Sequence, residues 1–304
     1  MTRMRFGVVG TGYWARATHA AALAAHPDAD LVGVWGRSFA RATELAEAVG
    51  ALAYEDADGM FADVDAVAFA VPPDVQAGLA VQAANQGCHL LMDKPVSFST
   101  QDADRVVEAV DQAGVRSLVF FTSRFAANQA HWLAGVQEQP GWNAGYVRMY
   151  ASIFEAGNPF GQSPWRRERG ALWDIGPHGL SILLPVLGPV DRVVAERGRG
   201  DTVTVLLHHE SGAASTMSLS LTAPPGSRGN SWQVFGQNQQ TSMPESTTSP
   251  VEAMGACISE LLTGQPGRWQ HPCDVHFGRE VVSILAAADM FLERSPQSRS
   301  APVG

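Results

Sequence analysis

The stretch "RFGVVGTGYWA" at residues 5–15 constrains this chain most: an apolar run, a glycine turn, then the start of an alanine-rich helix. The same grammar repeats. "LVGVW" precedes the helix "FARATELAEAVG", which Ser38 can N-cap and Gly50 can close. "VDAVAFAV" precedes "DVQAGLAVQAANQG", and "CHLLMD" precedes "STQDADRVVEAVDQAG", whose start at Ser99 and Asp102 reads as a capping box. "SLVFFTS" follows as a further strand. Strands without polar alternation, separated by helices, belong to a parallel sheet covered on both faces, with right-handed crossovers. After about residue 124 the apolar pattern changes to alternation, in "YVRMYASIF", "RVVAERG", "TVTVLLHHE", "AASTMSLSLTA" and "SWQVFG". Short turns such as Glu210-Ser211-Gly212 imply antiparallel hairpins there. A helical segment around "GPHGLSILLPVL", two late helices and a loose tail, "SPQSRSAPVG", complete the reading. The fold class expected is α/β: a doubly wound Rossmann domain over residues 1–122, then an α+β domain over 123–304.

Within the glycine turn, Gly10, Gly12 and Ala15 are spaced G-x-G-x-x-A between strand and helix. Gly10 permits the tight turn, Gly12 lets a pyrophosphate approach the backbone, and Ala15 allows close helix packing. The helix N-terminus then faces the phosphates. Thr11, Tyr13 and Trp14 of the turn, Pro72 after "VDAVAFAV" and Asp93 beside Lys94 complete the expected dinucleotide-binding set. An NAD site normally ends its second strand in a carboxylate for the ribose 2′-hydroxyl. This chain has Gly36-Arg37-Ser38 instead. Arg37 can fork onto a 2′-phosphate and Ser38 can donate to it, so NADP(H) is the expected cofactor and NAD(H) the alternative.

"LLMDKPVS" holds the chain's only lysine, Lys94, at the carboxyl end of a central strand, where open α/β sheets bind ligands. Pro95 restricts Lys94 to an extended backbone. An ammonium gives a single substrate oxygen a compact point charge and can release a proton, whereas arginine stays protonated. Further on, "WDIGPHG" places Asp174 and His178 four residues apart, on one face of a helical turn. His178 is the acid/base candidate for neutral pH, and Asp174 can orient it or touch a substrate hydroxyl. His19, His26, His89, His208 and His209 read as structural.

A formal net charge of -9 with scattered arginines argues against nucleic-acid and membrane surfaces. Cys88, Cys257 and Cys273 have no metal-type spacing and are odd in number, which fits a reducing compartment. The chain runs directly into Phe6-Gly7-Val8-Val9 without a signal-peptide core, so a soluble cytoplasmic protein is expected.

The G-x-G turn, Asp93-Lys94-Pro95 in place of the usual E-K-P, and D-x-G-x-H at Asp174 to His178 together resemble the Gfo/Idh/MocA oxidoreductases. Trp165, Arg166 and Arg124 also look like that family. The resemblance implies an open, largely antiparallel second sheet that builds a homodimer or homotetramer. It also implies a small sugar, cyclitol or related hydroxyl/carbonyl substrate. Lys94, Asp174 and His178 fall on its active-site positions, with Arg124 and Trp165 as further substrate contacts. Two departures stand out: Ser181 replaces a second aspartate of many members, and Gln76 stands where many have histidine. Two other readings remain open at this stage, an NAD-dependent glycosidase of the same fold and a non-catalytic dinucleotide sensor.

Overall fold

The structure is a computed structural model that describes residues 3–264 and 269–294. The first part of the chain runs β1 (Met4–Val9), α1 (π-wound over Ala15–Ala20, α-helical over Ala21–Ala25), β2 (Ala29–Trp35), α2 (Phe39–Val49), β3 (Leu52–Tyr54) and α3 (Ala57–Asp63). It continues with β4 (Ala66–Phe69), α4 (Pro73–Asn85), β5 (His89–Asp93), α5 (Thr100–Ala113), β6 (Ser117–Phe120), α6 (Thr122–Phe125) and α7 (Ala127–Gln137). The strands form one parallel sheet in the order β3-β2-β1-β4-β5-β6. Its centre is Phe6, Val8, Val9, Val67, Phe69, Leu90, Leu91 and Met92, all fully buried. Strands buried on both faces carry no polar alternation, which is why their sequences read as unbroken apolar runs.

The caps follow the sequence signals. Ser38 Oγ accepts from Arg41 N–H at 3.4 Å, and Gly50 closes α2 with φ 74°. Ser99 Oγ accepts the Asp102 N–H at 3.1 Å, but the Asp102 carboxylate takes the Ser99 hydroxyl at 2.8 Å instead of the backbone N–H, so the expected capping box is only half made. Three elements of this part were not legible: β3, only three residues long; α3, which starts at an Asp56 cap accepting from Gly59 N–H at 2.7 Å; and α6, whose first residues Thr122 and Ser123 read as the end of a strand.

The second sheet contains β7 (Trp142–Tyr150), β8 (Val190–Arg197), β9 (Val203–His209), β10 (Ala214–Ser220), β11 (Gly229–Gly236) and β12 (Gln240–Ser242), with α8 (Pro164–Leu187) between β7 and β8. Its order is β12-β11-β7-β10-β9-β8. The hairpins expected from the short turns are β8–β9 and β9–β10, both antiparallel. β7 and β10 are instead parallel. Parallel neighbours need a long connection, and α8, β8 and β9 supply it. Val203, Val205 and Leu207 are buried on one sheet face, and α8 packs there.

Two helices end the described chain, α9 (Pro250–Thr263) and α10 (Val275–Arg294). A capping box at Ser249 and Glu252 starts α9, and Arg116 Nη1 closes it by donating to the carbonyls of Leu261 at 2.7 Å and Gly264 at 3.0 Å. Packing divides the chain into two compact units: residues up to Trp132 with Pro244–Val282, and Leu133–Met243 with the residues from Ser283 on. A single cut after residue 122 therefore differs from the packing, because α9 and the start of α10 return to the parallel-sheet unit. The tail read in "SPQSRSAPVG" lies outside the described residues. Among the described residues no helix is long and apolar enough to cross a membrane.

Candidate active site

In the first unit the sheet order reverses between β1 and β4, and open α/β sheets bind ligands at the carboxyl ends beside such a point. Gly10 follows β1 with φ 128°, and a Cβ there would lie 2.5 Å from the Ala70 carbonyl oxygen. Both conditions require glycine. Around Gly12 the space is open, since an added Cβ would meet nothing within 4 Å. The chain turns helical from Tyr13, so the amino end of the helix, with its N–H groups and the positive end of its dipole, stands at this opening. Thr11 and Trp14 are half-buried, Tyr13 is exposed, and Ala15 is fully buried, as close packing under a phosphate turn requires. These features fit a dinucleotide pyrophosphate.

At the end of β2, Gly36 packs against Thr11, whose Cγ2 would sit 2.7 Å from an added Cβ. Arg37 is exposed and has no hydrogen-bond or ion-pair partner among the described residues. Ser38 spends its oxygen lone pair on the α2 cap and keeps its hydroxyl proton to donate. Pro72 caps the start of α4 after β4. Asp93 ends β5; its Oδ1 accepts the Lys94 N–H at 2.8 Å, and Lys94 is half-buried before a cis peptide to Pro95. Arg124, in α6 after β6, lies 5.7 Å over the Phe277 ring of α10. One end of this sheet thus carries Gly10, Thr11, Gly12, Tyr13, Trp14, Arg37, Ser38, Pro72, Asp93, Lys94 and Arg124.

In the second unit, Trp165, Asp174 and His178 all belong to α8. The helix is broken at Gly170, whose φ is 66°, so Trp165 and Arg166 approach Asp174 from a kinked first segment. Arg166 Nε donates to Asp174 Oδ2 at 3.1 Å, with both side chains mostly buried. The guanidinium lies 4.6 Å over the Trp165 ring and 5.6 Å from the Phe160 ring. His178 is half-buried one turn after Asp174. Gly179 follows it, and a Cβ there would meet Met217 Sδ at 2.6 Å, so this glycine lets α8 lie close on β10. Ser181 is fully buried and donates to the His178 carbonyl at 2.8 Å.

Of the histidines read as structural, His26, His89, His208 and His209 have hydrogen-bond partners in the fold, whereas His19 is fully buried with neither ring nitrogen hydrogen-bonded. His209 bonds the Gly188 carbonyl at 2.7 Å and Ser215 Oγ at 2.9 Å, and His208 meets Arg192 at 2.7 Å. His26 meets Ser259 at 2.8 Å, and the His89 ring accepts the Arg116 N–H at 3.1 Å. Burial pushes His19 down to about 3 and His89 to about 4. Sequence reasoning assigned no role to two residues that shape these sites. Arg166 holds Asp174, and Gln76 bonds the backbone around Lys94. The available signal for Gln76 was its place on the buried face of α4 with Ala80, Ala83 and Ala84.

Residues 4–121 match the oxidoreductase family with the NAD-binding Rossmann fold, and residues 143–241 match the GFO/IDH/MocA C-terminal domain. The chain is 35% identical over 107 residues to UDP-N-acetylglucosamine 3-dehydrogenase of Acidithiobacillus ferrooxidans, covering 35% of this chain and 33% of that relative. It is 30% identical over 192 residues to dTDP-3,4-didehydro-2,6-dideoxy-alpha-D-glucose 3-reductase of Streptomyces antibioticus, covering 62% and 58%. Less than two thirds of either of these relatives is therefore spanned. Inositol 2-dehydrogenase of Rhizobium meliloti is 26% identical over 236 residues, covering 73% and 70%. Among solved structures, GenD2 from gentamicin A biosynthesis in complex with NAD superposes with TM-score 0.81 at 23% identity, covering 97% and 95%. The WlbA dehydrogenase from Bordetella pertussis, in complex with NADH and UDP-GlcNAcA, does so with TM-score 0.81 at 19% identity, covering 96% of each chain. At such identities the superpositions show a shared fold. With both of its domains matched, the chain belongs to the Gfo/Idh/MocA family of oxidoreductases.

Proposed function

We propose that this protein is an NADP(H)-dependent oxidoreductase that moves a hydride between the nicotinamide and a sugar, cyclitol or related hydroxyl/carbonyl compound. The observation that carries the reading is the row of groups at one end of the parallel sheet: an open glycine turn, Arg37 and Ser38 without a carboxylate, and the chain's only lysine. Relatives named for UDP-N-acetylglucosamine and for inositol support the substrate class. The dinucleotide, when bound, accepts or supplies the hydride. In oxidation, His178 takes the hydroxyl proton as the C–H bond breaks, and the Lys94 ammonium stabilises the oxygen that gains charge. In reduction the same steps run backwards: His178 returns the proton to the oxygen as hydride reaches carbon, and Lys94 stabilises the same partial charge. Asp174, Arg124 and Trp165 contact the substrate in this reading.

Arg37 gives the cofactor preference, since a guanidinium suits a 2′-phosphate. Fluorescence titration should show NADPH binding at least several-fold tighter than NADH. Arg37→Ala should weaken NADPH roughly ten-fold, the loss of one charge-assisted contact, and change NADH little. Equal affinities in the unaltered protein would refute the preference. The reaction is tested by NADPH oxidation against a panel of keto-sugars and inososes. Cleavage of a chromogenic glycoside without net cofactor turnover would replace the oxidoreductase reading with the glycosidase one. We further propose a cytoplasmic homodimer or homotetramer. The second sheet's face away from α8 carries half-buried Tyr146, Leu206 and Phe235, which is an apolar surface a second copy can cover. A monomer mass in light scattering at micromolar concentration would refute that.

A further inference from the structure

We propose that Gln76 is a positioning residue that sets the place of Lys94 through the backbone of residues 93–96. The inference rests on the reading of Lys94 given above. Gln76 is fully buried near the start of α4, and both ends of its carboxamide are committed to one loop. Its Nε2 donates to the carbonyls of Asp93 at 2.8 Å, Pro95 at 3.1 Å and Val96 at 3.2 Å. Its Oε1 accepts the Asp93 N–H at 3.0 Å. The Lys94 N–H goes to the Asp93 carboxylate at 2.8 Å. A loop leaving a strand has no ladder to satisfy its backbone, and buried carbonyls left without donors are costly. Here one side chain replaces the ladder.

The opposite wall of the loop is equally tight. Val96 is buried, and a Cβ on Gly278 of α10 would come within 2.6 Å of Val96 Cγ2 and 2.9 Å of Val119 Cγ2. The loop is thus held between a hydrogen-bonding amide and a close helix surface, and Lys94 projects from a backbone with few alternatives. Gln76 is too buried to meet substrate. It stands where many family members have histidine, a side chain that also pairs a ring donor with a ring acceptor.

Lys94 being the only lysine makes the loop readable without any substrate. Reductive ¹³C-methylation labels one lysine and the amino terminus, so a heteronuclear spectrum shows a single dimethyl-lysine signal. In Gln76→Leu, folded by circular dichroism, that signal should shift or split. NADPH affinity should stay within about three-fold of wild type, because the glycine turn is untouched. On a substrate found with the carbonyl panel, kcat of the unlabelled variant should fall on the order of 10²-fold, the loss expected when a reacting group moves by about 1 Å. Gln76→His should recover most of it. Gln76→Glu, which keeps the acceptor but turns a carboxylate toward three carbonyls, gives the same test if the leucine variant does not fold. A folded variant with either the lysine signal or kcat unchanged overturns the proposal. Lys94→Arg assigns the fault: if it also turns over normally, the reading of Lys94 has failed, and if it is inactive, the role of Gln76 has failed.

Discussion

Breaking the contact between Arg166 and Asp174 tests whether the α8 site is held together as its geometry says. The pair is separated by 3.1 Å, with side chains 16% and 8% exposed. At an effective dielectric near 20, two unit charges at that distance attract by roughly 5 kcal/mol before desolvation is counted. Placing the pair in the protein costs much of this, and breaking a mostly buried pair by removing one partner typically costs about 3–5 kcal/mol. Arg166→Met also gives up the guanidinium's contacts with the Trp165 and Phe160 rings, at 4.6 Å and 5.6 Å, each of about 0.5–1 kcal/mol. The expected loss is about 4–7 kcal/mol for Arg166→Met and about 3–5 kcal/mol for Asp174→Leu. The double variant should lose at least 2 kcal/mol less than the sum, since the two single variants break the same contact and the double variant loses it only once. Urea unfolding of the four proteins at one pH measures all three numbers. A coupling below about 1 kcal/mol would be that of an exposed surface pair, and the view of Arg166 as the group that fixes Asp174 would fall.

Lys94→Arg should keep NADPH affinity and lose turnover by about a hundred-fold, because the planar fork displaces the reacting oxygen and releases no proton; steady-state kcat near wild type would remove Lys94 from the chemistry. His178→Asn should cut turnover by about 10²–10⁴-fold with nicotinamide affinity nearly intact, as removal of a general base predicts, and a near-normal rate would leave His178 a structural role. His19 is buried and held at about 3, below its ordinary 6.5, so the folded state refuses a proton that the unfolded chain accepts. Its contribution is complete above pH 6.5 and is lost as pH falls toward 3, by roughly 2 kcal/mol at pH 5. His19→Phe should therefore flatten the fall in thermal stability between pH 7 and pH 5, and an unchanged slope would contradict the assignment.

Much of the first unit was legible because its signals are local. Buried parallel strands must be apolar throughout, and a turn that needs φ 128° beside the Ala70 carbonyl must use glycine at position 10. Helix caps at Ser38 and Ser99 speak within four residues of themselves. The spacing from Asp174 to His178 was legible for the same reason, since one helical turn brings them to one face.

Contacts between distant segments were not legible. The parallel pairing of β7 with β10 depends on everything folded between them, so the alternating pattern of each strand is silent about it. Sharing a helix face with Ala80, Ala83 and Ala84 hints that Gln76 is buried, but it does not say that its amide will serve a loop 17 to 20 residues on. The return of α9 and of Gly278 to the parallel-sheet unit is likewise invisible to a window of residues. From its own residues the chain determined which chemistry it carries: a phosphate turn, one lysine, and an aspartate with a histidine one turn on. Only the tertiary structure decided what holds those groups. A buried carbonyl or carboxylate takes whichever donor the fold brings within hydrogen-bond reach, and here those donors are Gln76 and Arg166.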